Sequence, residues 1–269
     1  MMFGFITLLL IVIGFAGGML NGFIASGAGV LIVPVMILFG FSNVDHASSI
    51  AVFASCWTAA FHFIPYFIRN WRDQEWISAI VLFIAGLISG QAGVFVAQEA
   101  SPIAMRLSLS FFAFLALDLL FRQQHKLDAL SPEVQEMEVW IDPKRYILLF
   151  LFLGLWAGFL GGMVGSAGGL FLVPMLLVFT KIQPKQAVYL SFALMAGSSL
   201  SALWGQSVSG GLDFELGIPL AIGAVIGNYI GCELMKVSTN ASLRNVLKIF
   251  LTEVGLFMLV WGVFAVQFI

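Results

Sequence analysis

The sequence predicts an all-α polytopic membrane protein made of two inverted repeats of five helical segments each, with short glycine-interrupted segments near mid-membrane. Of the 269 residues, 61% are hydrophobic and 10% are charged, a balance that excludes a soluble globular domain. A stretch of about twenty residues also occurs twice, 140 positions apart, as Gly14–Pro34 and Gly154–Pro174. Repeated apolar segments interrupted by glycine and proline indicate the binding site of a secondary transporter.

Each half holds five apolar segments, and crossing the hydrocarbon core takes roughly 20 apolar residues per helix. In the first half they are Gly4–Ala25, Val30–Phe41, Ala47–Ile68, Trp76–Ala97 and Ile103–Phe121. In the second half they are Tyr146–Val164, Leu170–Thr180, Ala187–Trp204, Leu216–Met235 and Ser242–Phe268. The chain therefore divides into a first repeat (1–121), a polar linker (122–145) and a second repeat (146–269). The start lacks a basic region, so the first segment is expected to be retained and not cleaved as a signal.

The basic residues predict the orientation in the membrane. If segments one and two enter and return on the same side, and six and seven likewise, eleven of the 12 Lys and Arg residues share one side and only Arg106 lies on the other. The positive-inside rule then places the linker in the cytoplasm and both termini on the outer side of the cytoplasmic membrane. Five segments per half also invert the second repeat relative to the first. The count leaves open whether the paired segments cross fully or are re-entrant.

The duplicated motif contains the candidate anion site. Ser26-Gly27-Ala28-Gly29 and Ser166-Ala167-Gly168-Gly169 each precede a short apolar segment. A helix N-terminus there offers free N–H donors and partial positive charge, so it binds an anion without a basic side chain. The predicted substrate-binding residues are Ser26, Gly27, Gly29, Ser166, Gly168 and Gly169. Across a pseudo-twofold axis, the two helix starts are expected to approach each other. Gly14, Gly18 and Gly22, four residues apart, are instead expected to let helices pack closely.

Neutral polar residues inside the apolar segments are further candidates, because burying them is costly. Substrate contact and helix–helix hydrogen bonding are both open for Asn21, Gln91 and Asn228. For His46 and Gln186, which correspond to each other near a helix start, lining an anion path and exposure at the loop are both open. Two residues are candidates for proton coupling. His62 lies within the third segment and has an imidazole that titrates near neutral pH. Glu253 lies in the tenth segment.

The paired glycine motifs, the two similar halves and the central polar linker resemble the sulfite exporter TauE/SafE family. The resemblance covers about Gly4 to Phe264. It implies transport of sulfur-containing anions, such as sulfite or organosulfonates including sulfoacetate. The first copy, Ser26-Gly27-Ala28-Gly29, departs from a fuller run of glycines, which makes the two half-sites unequal.

Several other functions were weighed. A transporter or channel for another small anion or carboxylate, and a non-transport assembly protein, are alternatives. An intramembrane serine hydrolase would pair Ser26 or Ser166 with His62, but Ala202 stands at the repeat position of His62, so the pair is not duplicated and an enzyme is not expected. No cofactor, metal or nucleic acid is expected. The expected partners are the anion, the lipid bilayer and a second copy of the chain in a homodimer. Cys56 and Cys232 are expected to be small buried hydrophobes.

Overall fold

The computed structural model of the chain describes residues 2–38, 44–69, 75–128, 143–164, 168–180, 182–208 and 213–266. These residues form ten α-helices and no strand. In chain order they are α1 (Met2–Ile24), α2 (Gly29–Leu38), α3 (Val44–Arg69), α4 (Glu75–Glu99), α5 (Pro102–Asp128), α6 (Pro143–Val164), α7 (Gly168–Thr180), α8 (Pro184–Val208), α9 (Phe214–Val237) and α10 (Asn240–Val266).

Six of the described helices, α1, α3, α4, α6, α8 and α9, are long and apolar enough to cross a membrane, and α7 is a shorter apolar helix. The predicted all-helical polytopic membrane protein is thereby confirmed. The largest difference from the expected boundaries is at α5, which continues to Asp128 and into the region assigned to the polar linker. Arg122 pairs with Asp118 one turn earlier at 2.7 Å, which supports the helix beyond its apolar part.

The helices of one half pack mainly on helices of the other half. Helix α1 packs along α9, and α4 packs along α6. Helix α3 contacts both α8 and α9, α4 also contacts α8, and α5 contacts α10. When the halves are exchanged, so that α1 replaces α6 and α4 replaces α9, these contacts map onto one another. The duplicated sequence therefore produces a duplicated set of helix contacts.

Glycines set the closeness of the α1–α9 contact. Gly14, Gly18 and Gly22 face the backbone of Leu220, Ala224 and Asn228, and in return Gly223, Gly227 and Gly231 face the backbone carbonyls of Ile11, Phe15 and Met19. A Cβ at any of these glycines would clash with the facing backbone. In the α4–α6 contact, Gly162 packs on Gly90 in the same way. The predicted packing role of these glycines is confirmed.

Helix α8 occupies the centre of the fold. Its span Pro184–Val208 is 78% buried, whereas the other five candidate spans are 39–50% buried. Helix α7 packs on it, and Leu170, Phe171, Leu172 and Val173 of α7 are each at most 2% exposed. The short helix of the second motif is therefore held in the protein core.

Candidate anion site at the paired turns

The first motif folds into a sharp turn between α1 and α2. Ala25 has φ 52° and Gly27 has φ 82°, both in the left-handed region. For alanine this conformation costs roughly 1–2 kcal/mol, so surrounding contacts must hold it. Ser26, between them, is 1% exposed. The turn is thus a buried and specifically shaped piece of backbone.

Asn21, in the last turn of α1, holds this turn in place. Its Oδ1 accepts a hydrogen bond from the Gly27 N–H at 2.8 Å. Its Nδ2 donates to Thr58 Oγ1 at 3.2 Å and to Asn228 Oδ1 at 3.3 Å. The side chain is fully buried, where an unsatisfied amide would be costly. One amide thus joins the turn to α3 and α9.

Asn228 and Thr58 complete the group, and we call Asn21, Thr58 and Asn228 the amide cluster. Asn228 Nδ2 donates to the Thr58 carbonyl oxygen at 3.0 Å. Thr58 Oγ1 in turn donates to the Ser55 carbonyl oxygen at 3.0 Å. Because Asn21 and Asn228 bond to each other and to the protein, their amides act here as helix–turn connectors.

His62 lies one turn beyond Thr58 and borders the amide cluster. Its Nε2 is 3.4 Å from the Asn228 carbonyl oxygen, and its ring centre is 4.9 Å from that of Phe192 on α8. The histidine is half-buried at the junction of α3, α8 and α9.

The turn of the first repeat touches the second motif. A Cβ on Gly169, in the first turn of α7, would clash with the Ala25 carbonyl oxygen and lie 2.7 Å from Met195 Sδ. Gly168, which begins α7, packs on Gly161 at the end of α6. Ser166, the predicted partner of Ser26, lies outside the described residues. Within those residues, the two motifs meet at Ala25 and Gly169.

The remaining predicted residues lie apart from this junction. Gln91 is exposed and lies beside Ser201, whose Oγ donates to Gln91 Oε1 at 3.4 Å. Gln186 is half-buried in the first turn of α8, and Glu253 is exposed on α10. His46 is in the first turn of α3, and its side chain is outside the described part.

Thr58 and Ser201 were not among the candidate site residues predicted from the sequence. A signal for Thr58 existed, because Ser198 stands 140 positions later and also carries a hydroxyl. In α8, Ser198 Oγ donates to the Met195 carbonyl oxygen at 3.4 Å, as Thr58 does to Ser55. Polar residues shared by both repeats at one helical position would have indicated that position.

The chemistry of the junction is neutral. The amide cluster and the turn contain amides, hydroxyls and backbone N–H groups, with no Asp, Glu, Lys or Arg among Asn21 to Gly29, Thr58 or Asn228. No group of three or more His, Cys, Asp or Glu residues suited to a metal ion occurs in the described ranges. Such a site can bind an anion through hydrogen bonds and helix-end dipoles.

The fold and this junction define a multi-pass helical membrane protein in which the glycine-rich turn of the first half packs on the start of α7 in the second half. The family model described as Sulfite exporter TauE/SafE matches residues 10–258. The chain belongs to the sulfite exporter TauE/SafE family of membrane transporters.

Two relatives match over almost their whole length. "Probable membrane transporter protein MJ0441" of Methanocaldococcus jannaschii is 23% identical over 263 residues, covering 93% of this chain and 94% of that protein. "Probable membrane transporter protein YunE" of Bacillus subtilis is 21% identical over 274 residues, covering 96% of this chain and 98% of that protein. No solved structure shows a significant match to this chain.

Proposed function

We propose that this protein is a secondary transporter that moves small sulfur-containing anions, such as sulfite or sulfoacetate, across the cytoplasmic membrane by alternating access. The observation that carries the proposal is the contact between the two motifs, where Gly169 at the start of α7 packs on Ala25 in the first turn. An anion at this junction would face the N-terminal ends of two short helices, α2 and α7. Both ends stabilise negative charge.

The distribution of charge supports weak, reversible binding. Within the six candidate spans, the only basic residues are Lys185 and Lys236, each at most one residue from a span end. An anion inside the membrane is then held by neutral donors and helix dipoles. Each such interaction contributes about 0.5–3 kcal/mol, which permits release on the other side.

The family supports the substrate class, since its description names sulfite export. The names of the two relatives specify a membrane transporter and no substrate. A transporter of another small anion or a carboxylate is therefore the alternative that the same neutral site would serve. Of the two candidates for proton coupling, His62 borders the amide cluster, whereas Glu253 lies exposed on α10.

Flux into proteoliposomes tests the proposal. We expect radiolabelled sulfite or sulfoacetate to enter liposomes containing the protein faster than empty ones, and a pH gradient to change the rate if protons are coupled. Ser26→Ala and Ser166→Ala should each weaken the anion-dependent rise in melting temperature, with roughly tenfold lower affinity for one lost hydrogen bond to a charged ligand.

Ser242→Ala is the matched control, since Ser242 is exposed at the start of α10, away from the motifs. Equal anion response in all three serine variants would contradict binding at the turns. Flux of carboxylates without flux of sulfur anions would contradict the proposed substrate class and leave the proposed transport function standing.

A further inference from the structure

A groove of about 730 Å³ lies between α3, α4, α8 and α9. The residues that line it are mostly apolar and belong to all four helices; they are Phe53, Leu87, Gln91, Leu200, Ser201, Leu203, Trp204, Ser207 and Phe214. Trp204 and Phe214 are 72% and 55% exposed, so the groove is open to the surroundings. None of the nine lining residues is charged.

The mouth of the groove lies at the ends of two helices. Ser207 precedes the last residue of α8, and Phe214 is the first residue of α9. From Ser207 to Leu200 the helix descends about 10 Å at 1.5 Å per residue. The groove therefore runs from the ends of these two helices along α8 toward the middle of its span.

Polar side chains also line the groove. Gln91 is exposed there, and Ser201 Oγ donates to Gln91 Oε1 at 3.4 Å. Space for the amide is provided by Gly205, where an added Cβ would lie 3.2 Å from both Gln91 amide atoms. The side chain thus presents neutral N–H donors within a mostly apolar groove.

Residues next to Gln91 and Ser201 in the chain pack on the second motif. Gly90, the residue before Gln91, packs directly on Gly162 of α6. One turn before Ser201 on α8, Ser198 Oγ lies 3.6 Å from the position of a Cβ on Gly161. Gly161 packs on Gly168, the first residue of α7. The chain neighbours of Gln91 and Ser201 therefore pack on α6, and through Gly161 they lie close to the start of α7.

The two repeats fill equivalent positions differently. Gln91 and Asn228 each follow the second glycine of a Gly-x-x-x-Gly pair in α4 and α9. Asn228 is fully buried beneath Asn21 and Thr58, while Gln91 is exposed. The difference has a cause in the sequence, because the repeat counterpart of Asn21 is Gly161, which has no side chain to cover Gln91.

We propose that the groove is the route by which the transported anion reaches the start of α7, with Gln91 and Ser201 as its first polar contacts. The structure is then the state open on the side where α8 ends and α9 begins. The amide cluster closes the equivalent route of the other repeat. This inference rests on the proposed function, and it assigns ligand contact to Gln91 and Ser201 and a closing role to Asn21 and Asn228.

Filling the groove tests the route. Ser201→Phe introduces the side chain that Phe61 carries at the repeat counterpart, and it should lower anion flux in proteoliposomes at least tenfold. Leu256→Phe is the matched control, since Leu256 is 50% exposed on α10, away from the groove, and should keep the wild-type flux. The melting temperature of each variant shows whether it is folded.

A second measurement does not depend on that substitution. Leu200→Cys, at a site 47% exposed in the groove, should react quickly with a membrane-impermeant maleimide. Sulfoacetate should slow the reaction, while Ala60→Cys, at the repeat counterpart, should react slowly in its absence. If the wild-type protein transports the anion and the folded Ser201→Phe variant transports it equally fast, the groove is not the route. The groove is likewise excluded as the route if the maleimide labels Leu200→Cys no faster than Ala60→Cys. Absence of any wild-type anion flux would instead overturn the proposed function, and the inference with it.

Discussion

At the scale of single residues, Asn21 explains how an unusual backbone is kept inside the membrane. A membrane interior supplies no water, so each buried polar group needs a protein partner. Asn21 accepts one hydrogen bond from the turn and donates one each to α3 and α9. The left-handed conformation of Ala25 is thereby fixed by contacts that come from three separate segments.

Asn21→Ala should lower the free energy of unfolding by about 1–3 kcal/mol, because the Gly27 N–H would be left buried without its acceptor. The loss should be measurable by thermal or denaturant unfolding in detergent. Asn228→Ala should cost a similar amount, and the double variant should cost less than the sum, since both belong to one network.

Gln91→Ala is the control for this measurement. Gln91 is the repeat counterpart of Asn228 but is exposed, so its loss should change stability by only about 0.5 kcal/mol. Equal destabilisation by Asn21→Ala and Gln91→Ala would show that burial in the amide cluster has no special role.

At the scale of helices, the close α1–α9 contact depends on glycine. Gly227 faces the Phe15 carbonyl oxygen, and this backbone atom cannot rotate away from an added methyl group. In an isolated helix, Gly→Ala gains about 1 kcal/mol of helix propensity. Here we expect Gly227→Ala to lower stability by about 1–3 kcal/mol, because separating the two helices outweighs that gain. Thermal unfolding in detergent checks the sign.

Gly255→Ala in α10 offers the matched comparison. The atoms nearest an added Cβ there belong to the Phe114 ring, at 3.2–3.4 Å, and a side chain can shift by a few tenths of an ångström. The change in stability should therefore be smaller than that of Gly227→Ala. If Gly227→Ala is as well tolerated as Gly255→Ala, close backbone packing is not what holds α1 to α9.

At the scale of the whole molecule, helical segments and glycine contacts could be predicted because both depend on short-range patterns. Ten apolar segments and the i+4 spacing of Gly14, Gly18 and Gly22 are visible in the sequence itself. The extension of α5 was missed because hydropathy alone ends the segment at Phe121. The helix continues past Phe121, where Arg122 pairs with Asp118 one turn earlier, and ends at Asp128.

The site could be predicted only in part. The motif glycines indicated the turns, and Gln91 and Asn228 were matched by their position after paired glycines. Whether Asn228 or Gln91 is buried depends on which side chain packs over it. Asn21, which bonds to Asn228, lies 207 residues away from it in the chain. Such long-range pairing leaves no local pattern. That Gly161 has no side chain to cover Gln91 becomes evident only when the positions of the helices are known.

The inverted relation of the repeats, predicted from charge, can be tested at two exposed positions. Ser101 lies between α4 and α5, and Thr239 lies between α9 and α10 at nearly the same place in the second repeat. Inverted repeats put these positions on opposite sides of the membrane, whereas parallel repeats put them on one side.

Lys236 and Arg244 flank Thr239, so its side should be cytoplasmic. An impermeant maleimide should then label Ser101→Cys in intact cells and Thr239→Cys only after permeabilisation. The parent protein serves as the blank, since Cys56 and Cys232 lie within candidate spans. Labelling of both variants in intact cells would exclude inversion and, with it, a pseudo-twofold axis lying in the membrane plane.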